Sequence, residues 1–255
     1  MIRNQEIKEV WTDEYKIHSY EVDVRGTATL PILCKFMQES AWHHAEHLGV
    51  GYSHLIEKNL IWVLSQQLIR MYFFPKWGET IQIHTWPSGK GRLSYHRDFK
   101  LLDRQNRTIG IATTIWYAID LLSRRPQSLG FDFHLDDCEH VFSHKLNKLR
   151  SLNSTDGSKS FQVGYSDLDV NEHVNNIRYI EWILESFTLD YQKSHTLKEI
   201  EIKYLAEALY DDKLSVGFKK GENLTYYHHL VRDENHKELC RARTQWDVLN
   251  FGSDR

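Results

Sequence analysis

Asp169-Val170-Asn171-Glu172-His173-Val174-Asn175-Asn176 stands directly before a run in which Ile177, Ile180, Ile183, Leu184 and Phe187 recur at helical spacing. That spacing predicts an amphipathic helix, and Asn175 or Asn176 suits its N-cap because a side-chain oxygen there accepts from an early backbone N–H. Behind the helix come three alternating series: Ile200, Ile202 and Tyr204; Leu214, Val216 and Phe218; and Cys240, Ala242, Thr244 and Trp246. Alternation of this kind predicts half-buried strands, whose side chains point to opposite faces in turn.

The same order occurs earlier in the chain. Leu33, Phe36, Met37, Ala41, Ala45 and Leu48 predict a helix over about 30–48, with Pro31 in its first turn and Gly49 at its end. Ile81, Ile83 and Thr85 follow in alternation, then Tyr95, Arg97, Phe99 and Leu101, then Ile109, Ile111, Thr113, Ile115 and Tyr117. Gly78, Gly89-Lys90-Gly91 and Asp103 to Asn106 supply turns between them. Asp23-Val24 and Glu39-Ser40 recur as Asp169-Val170 and Glu185-Ser186, each 146 residues on. Ala112-Thr113-Thr114-Ile115-Trp116 resembles Ala242-Arg243-Thr244-Gln245-Trp246, 130 residues on, so the second copy is shorter between its helix and its last strand. Matches in the same order favour internal duplication: two copies of one α+β plan, each an antiparallel sheet with a helix. Periodicity is lost from about Asp136, and Ser151 to Ser160 is rich in Ser, Asn, Asp and Gly. The expected domains are therefore 1–135, a linker over 136–160, and 161–255.

Composition narrows the class. The chain has 255 residues, 41% hydrophobic and 13% aromatic, enough for a full core, and its formal charge of -3 gives no sign of a nucleic-acid surface. Cys34, Cys138 and Cys240 are odd in number and far apart, which argues against a disulfide framework and a clustered zinc site and points to a reducing compartment. Met1 to Trp11 alternates charged and apolar residues and lacks the apolar stretch of a signal peptide or membrane span, so a soluble, cytoplasmic protein is expected. His43 and His47 lie one helical turn apart, but Glu46 is out of place for His-Glu-x-x-His and no third ligand is evident, so no metal is expected. Trp62, Tyr72, Phe73, Phe74 and Trp77 read first as core. With no Gly-x-Ser-x-Gly, no peptidase-type Cys beside a His and no glycine-rich phosphate or dinucleotide loop, no cofactor is expected and activated water is the favoured nucleophile.

The two copies differ where chemistry would sit. Against the polar octet at 169–176 the first copy has Asp23-Val24-Arg25-Gly26-Thr27-Ala28-Thr29-Leu30. The second copy is therefore read as the chemical one and the first as supporting or binding. Asp169, Asn171 and His173 alternate, so on an extended segment they share a face. The helix start beyond them carries partial positive charge suited to an oxyanion, while His exchanges protons near neutral pH and Asn can donate to a carbonyl. An ordinary helix entry, with Asn as cap and His on the surface, accounts for the same residues.

Tyr165-Ser166-Asp167-Leu168-Asp169-Val170-Asn171-Glu172-His173-Val174-Asn175-Asn176, followed by Tyr179, Trp182 and Ile183-Leu184-Glu185-Ser186, resembles the acyl-acyl-carrier-protein thioesterases of plant and bacterial fatty-acid synthesis. Leu60-Ile61-Trp62-Val63, Pro75-Lys76-Trp77-Gly78-Glu79 and Ser123-Arg124-Arg125-Pro126 extend the likeness over nearly the whole chain. The resemblance implies a tandem (double) hotdog fold, each half an antiparallel sheet wrapped around a central helix. It implies that the N-terminal hotdog binds the acyl chain without catalysing and that the C-terminal one is catalytic. Asp169, Asn171 and His173 match the family's catalytic Asp, Asn and His, and Tyr204-Leu205-Ala206-Glu207 matches the segment carrying its catalytic Glu, so Glu207 joins the set. Many plant members have Cys after that Glu; here Ala208 removes a cysteine mechanism. The implied reaction hydrolyses fatty acyl-acyl-carrier protein to free fatty acid and carrier protein, with acyl-CoA hydrolysis or non-catalytic acyl binding as alternatives. The implied carrier protein is acidic, and Arg92, Arg97, Arg124 and Arg125 are candidates for steering it. Association of two fused chains into a homodimer is left open.

Overall fold

The computed structural model describes residues 10–130, 140–143 and 146–249. Most of the N-terminal segment 1–11, Cys138 and part of the expected linker lie outside the described residues. The chain divides into two compact units, one of residues 1–65 and 72–144, the other of residues 66–71 and 145–255.

The first unit contains β1 (Trp11–Lys16), α1 (Leu30–His47), α2 (Tyr52–Ile56), the first half of β2 (Leu60–Met71), β3 (Thr80–Lys90), β4 (Ser94–Asp103), β5 (Thr108–Asp120) and the short β6 (Pro126–Gln127). Its strands hydrogen-bond in the order β1-β3-β4-β5-β2, with β6 antiparallel on β5. The predicted helix and its punctuation are found where expected. Thr29 Oγ1 accepts from Ile32 N–H at 3.5 Å, Pro31 occupies the first turn where its missing N–H has no helical partner, and Gly49 takes φ +71° just past the end. Leu30, Leu33 and Met37 bury the face of α1 that packs on β3, where Ile81 and Ile83 are buried in turn.

The second unit contains Gln66–Met71, β7 (Gly157–Gln162), α3 (Asn176–Glu185), α4 (Leu189–Ser194), β8 (His195–Tyr204), β9 (Lys213–Lys220), β10 (Thr225–Arg232) and β11 (Lys237–Val248). Gln66 to Arg70 pairs antiparallel with β8, and the order continues β8-β11-β10-β9-β7. Ile177, Ile180 and Ile183 form the buried face of α3, which packs on β10. Much of the shortening of the second copy lies in its helix, 10 residues against 18. A helix against a mainly antiparallel sheet in each unit is the double hotdog arrangement of α+β class.

Three expectations are corrected. Tyr72, Phe73 and Trp77 are not core: they are 47%, 69% and 65% exposed, on the loop between β2 and β3 rather than on a strand. Arg97 points inward, donating to His44 at 3.1 Å and Thr85 Oγ1 at 3.2 Å, and burial pushes its pKa down to about 10, so it does not offer a surface charge. The low-periodicity segment before residue 160 already contains the start of β7, which is polar because it is the edge strand of its sheet.

β1, β2 and β10 were not marked by clean alternation. In β10 the buried residues are Tyr226, His228 and Leu230, and the intervening Tyr227 and His229 blur the pattern. His228 is 1% exposed, packs edge-on against Phe187 and shares a hydrogen bond of 2.9 Å with Thr244 Oγ1. Burial, with a smaller contribution from His229, pushes its pKa down from 6.5 to about 3. The unfolded chain therefore binds a proton that the folded chain refuses between those limits. Stability should be lost as pH falls from 6.5 towards about 3, this one group contributing up to about 1.4 kcal/mol per pH unit. Denaturant titrations across that range should show a shallower pH slope for His228→Phe than for the parent chain; equal slopes would contradict the assignment.

Candidate active site

The polar octet forms a tight turn, which corrects the expectation of an extended segment. Asp169 N–H donates to His173 C=O at 2.8 Å, Glu172 N–H donates to Asp169 C=O at 3.1 Å, and a bridge between Leu168 and Val174 closes the loop. Glu172 sits at φ +61°, a left-handed conformation that carries a steric cost for a residue with a Cβ. Alternation therefore does not give the side chains a common face; the turn and its anchors place them. The buried Asp167 is the first anchor, its carboxylate accepting from Gly164 N–H at 2.8 Å and from Arg178 Nε at 2.5 Å. Asp167 C=O also accepts from Asn175 N–H at 2.9 Å, and Asn175 Oδ1 caps α3 through Ile177 N–H at 2.9 Å. Of the two cap candidates, Asn175 is the cap.

A second loop, 205–212, meets the first. Leu205 and Ala206 N–H both donate to Leu239 C=O, and Val174 N–H donates to Ala208 C=O at 3.1 Å. That last bond ties the entry of α3 to the exit of β8. Glu207 Oε2 consequently lies 3.5 Å from His173 Nε2, both side chains being part-buried. This is an ion-pair contact when His173 is protonated, and a slight closing or one bridging water makes it a proton path. Asp169 has a different task in the turn, Oδ1 accepting from Asn171 N–H at 2.8 Å. Asn171 itself is exposed, and among the described residues its side-chain amide makes no hydrogen bond. The structure thus joins His173 to Glu207 and Asp169 to the Asn171 backbone, while the Asn171 amide is left facing outward. At the helix start, Ile177 N–H is taken by the Asn175 side chain and Arg178 N–H by the Asn175 carbonyl at 2.9 Å, so α3 offers chiefly its field to an anion. A cleft of about 630 Å³ adjoins the turn, lined by Tyr165, Ser166, Leu168, Asp169, Glu172, Leu209 and Tyr210.

The first unit repeats this backbone closely. Asp23 N–H donates to Thr27 C=O at 2.8 Å, Ala28 N–H to Pro75 C=O at 2.8 Å, and Tyr72 and Phe73 N–H to Ile109 C=O. Yet Arg25 stands in the place of Asn171, Thr27 in that of His173, and Phe74 in that of Glu207. Asp23 is kept but occupied: burial would raise its pKa, and hydrogen bonds from Arg25 outweigh that and hold the carboxyl below its ordinary range. Gly26, at φ +75°, fills the position of Glu172 without the Cβ cost. His43, the other histidine singled out by spacing, is engaged with Asp13, Nδ1 to Oδ2 at 2.8 Å. Tyr179, quoted in the resemblance without a role, and Arg232, which sequence reasoning missed, both touch the backbone of the Glu207 loop. The signal was available: at the 146-residue offset Tyr179 replaces Leu33 on the buried face of the helix.

The chain matches a family model described as the acyl-ACP thioesterase N-terminal domain over residues 8–134, and one described as the acyl-ACP thioesterase C-terminal domain over residues 151–248. It is 32% identical over 262 residues to a chloroplastic palmitoyl-acyl carrier protein thioesterase of Gossypium hirsutum, covering 93% of this chain and 63% of that protein. It is 30% identical to a chloroplastic oleoyl-acyl carrier protein thioesterase of Coriandrum sativum, covering 92% and 76%. Measured against an acyl-[acyl-carrier-protein] hydrolase of Cuphea viscosissima, 30% identical, the chain spans 62% of the relative's length. Among solved structures, an acyl-ACP thioesterase from Bacteroides thetaiotaomicron superposes with TM-score 0.85 at 27% identity, covering 94% of this chain and 98% of that one. A 12:0-ACP thioesterase from Umbellularia californica gives TM-score 0.84 at 23% identity over 95% and 98%, a likeness of fold.

The bond between Asp169 and Asn171 separates shape from charge. Asparagine at 169 keeps an acceptor for the Asn171 N–H, so Asp169→Asn should unfold within about 0.5 kcal/mol of the parent, whereas Asp169→Ala should lose about 1 kcal/mol. Chemical denaturation of the two variants checks this, and equal losses would show that accepting the Asn171 N–H is not what residue 169 contributes.

Proposed function

The chain belongs to the acyl-ACP thioesterase family, and on that premise we propose that it hydrolyses fatty acyl-acyl-carrier protein to free fatty acid and carrier protein, ending fatty-acid synthesis. The observation that carries this reading is the 3.5 Å contact between Glu207 and His173, beside a turn that presents Asn171 outward. We assign Glu207 as the group that orients and deprotonates the attacking water. Asp169 is assigned to the turn, because one of its oxygens already accepts the Asn171 N–H. Asn171 then donates to the thioester carbonyl oxygen as it gains negative charge, aided by the field of the α3 start. His173 receives the proton from Glu207 and passes it to the departing sulfur as the carbon–sulfur bond breaks. The balance is one water and one thioester giving one carboxylic acid and one thiol. Ala208 supports a water mechanism, since the position after Glu207 holds no thiol.

The partner under this reading is an acidic acyl carrier protein, and Arg92, Arg124 and Arg125, all exposed, are retained as its steering charges, without Arg97. The proposed division of labour keeps the first unit for the acyl chain and leaves it catalytically silent, consistent with Arg25, Thr27 and Phe74 at the equivalent positions. A first domain over 1–135, a second that takes in β7 from Gly157 onward, a cytoplasmic location argued from the scattered cysteines, and association into a homodimer belong to the same proposal. No described helix is long and apolar enough to cross a membrane.

Purified chain incubated with acyl-carrier-protein substrates of graded length should release free acids and free carrier thiol. Asn171→Ala should reduce turnover by about 100- to 1,000-fold, as loss of one oxyanion donor does elsewhere, with the fold intact by circular dichroism. Glu207→Gln and His173→Ala should fall by at least about 100-fold. Absence of thiol release from every substrate would overturn the hydrolase reading, and near-parent turnover in Glu207→Gln would remove Glu207 as the base. Raised salt should weaken turnover of carrier-linked substrate more than that of a small acyl thioester, and an equal response would dismiss the steering arginines.

A further inference from the structure

The backbone of Ala206, Glu207 and Ala208 is held at three points by two side chains that do no chemistry themselves. Tyr179 Oη accepts from Ala208 N–H at 2.9 Å and donates to Ala206 C=O at 3.4 Å, so one hydroxyl bonds the residues on both sides of Glu207. Arg232 Nη2 donates to the carbonyl of Glu207 itself at 3.0 Å. Arg232 is in turn fixed by Asp212, 2.9 Å from its Nε, and Asp212 also accepts from Leu209 N–H at 2.8 Å. Tyr179 is buried, wedged edge-on against Tyr204 and beside Trp182, so its hydroxyl has little freedom to move.

The first unit shows that a loop of this shape does not need the clamp. There Phe73 N–H still reaches Ile109 C=O at 3.1 Å and Ala28 N–H still reaches Pro75 C=O. Leu33 occupies the place of Tyr179, and the register of β4 puts Asp103 in the place of Arg232. Pro75, which has no N–H, stands where Ala208 does. The clamp is therefore present in the unit whose loop carries a carboxylate and absent from the one whose loop carries Phe74.

We propose that Tyr179 and Arg232 are positioning residues that hold Glu207 at its distance from His173 and the attacking water. The proposal rests on Glu207 being the water-activating carboxylate. A general base needs to stay within hydrogen-bond reach of the water, and a misplacement of about 1 Å costs up to about 100-fold in rate. The plainer role for Tyr179 is to satisfy the buried Ala208 N–H, an effect on stability alone.

A double-mutant cycle separates the two. Tyr179→Phe should lower kcat about 10- to 100-fold on acyl-carrier-protein substrate with KM changed less than about threefold. In a Glu207→Gln background the same substitution should change kcat by less than about twofold, because a residue that acts through Glu207 has nothing left to position. Arg232→Gln should follow the same pattern, lowering kcat in the parent chain and changing it by less than about twofold in the Glu207→Gln background. Additive losses in the cycle, or parent-like kcat in Tyr179→Phe, would overturn the clamp while leaving Glu207 as base. Parent-like turnover in Glu207→Gln would instead defeat the reading of Glu207 on which the clamp rests. Thermal melting of each variant accompanies the kinetics, and a Tyr179→Phe chain that does not fold would assign the hydroxyl to the fold and so dismiss the proposal.

Discussion

The site depends on one backbone hydrogen bond between segments distant in sequence: Val174 N–H to Ala208 C=O, 3.1 Å. One partner lies at the entry of α3 and the other beyond the end of β8, so neither segment can place His173 against Glu207 alone. The bond is reinforced by reciprocal contacts between Val163 and the end of the same loop, at Asp211 and Asp212. Backbone bonds of this kind fix position with little dependence on side-chain identity, which leaves the side chains at the crossing open to change.

The two units use that liberty in opposite directions. Both keep the turn, the bridge that closes it and the crossing bond. In the first, Arg25 neutralises Asp23, Thr27 and Phe74 lack a proton-transferring group, and Gly26 relaxes the turn. In the second, Glu172 tolerates a left-handed conformation, and polar side chains accumulate around a carboxylate and an imidazole. Strain and polar crowding gathered in one copy of a duplicated frame suit a place where function, not folding, sets the residues.

The carboxylates near the crossing are divided by their surroundings. Asp167 is buried and satisfied by Arg178 and the Gly164 N–H, so it serves as an anchor. Asp169 is half-committed to the turn it begins. Glu207 reaches towards His173 from a loop whose backbone is held by Tyr179 and Arg232. These three acids thus differ in what their oxygens meet, a distinction drawn by their surroundings rather than residue type.

The sequence by itself determined the duplication, both long helices, the Pro31 and Gly49 that bracket the first, an asparagine cap for the second and most of the inner strands, because helix and strand periodicity are local consequences of burying one face. It also located the unit that carries the polar turn, since Arg25 and Thr27 stand where Asn171 and His173 do, while Asp169 keeps its counterpart in Asp23. Family resemblance supplied Glu207, which no local pattern distinguishes from other acids in the chain. Tertiary structure decided the rest. The exposed side of Tyr72, Phe73 and Trp77, the inward turn of Arg97 and the polar edge strand β7 all depend on what lies across from them. So do the 3.5 Å contact of His173 with Glu207 and the grip of Tyr179 on the residues around it, for these join positions 34 and 29 residues apart in the chain through the crossing of two loops. Periodicity reports which face of an element is covered; it carries no information about which loop meets which.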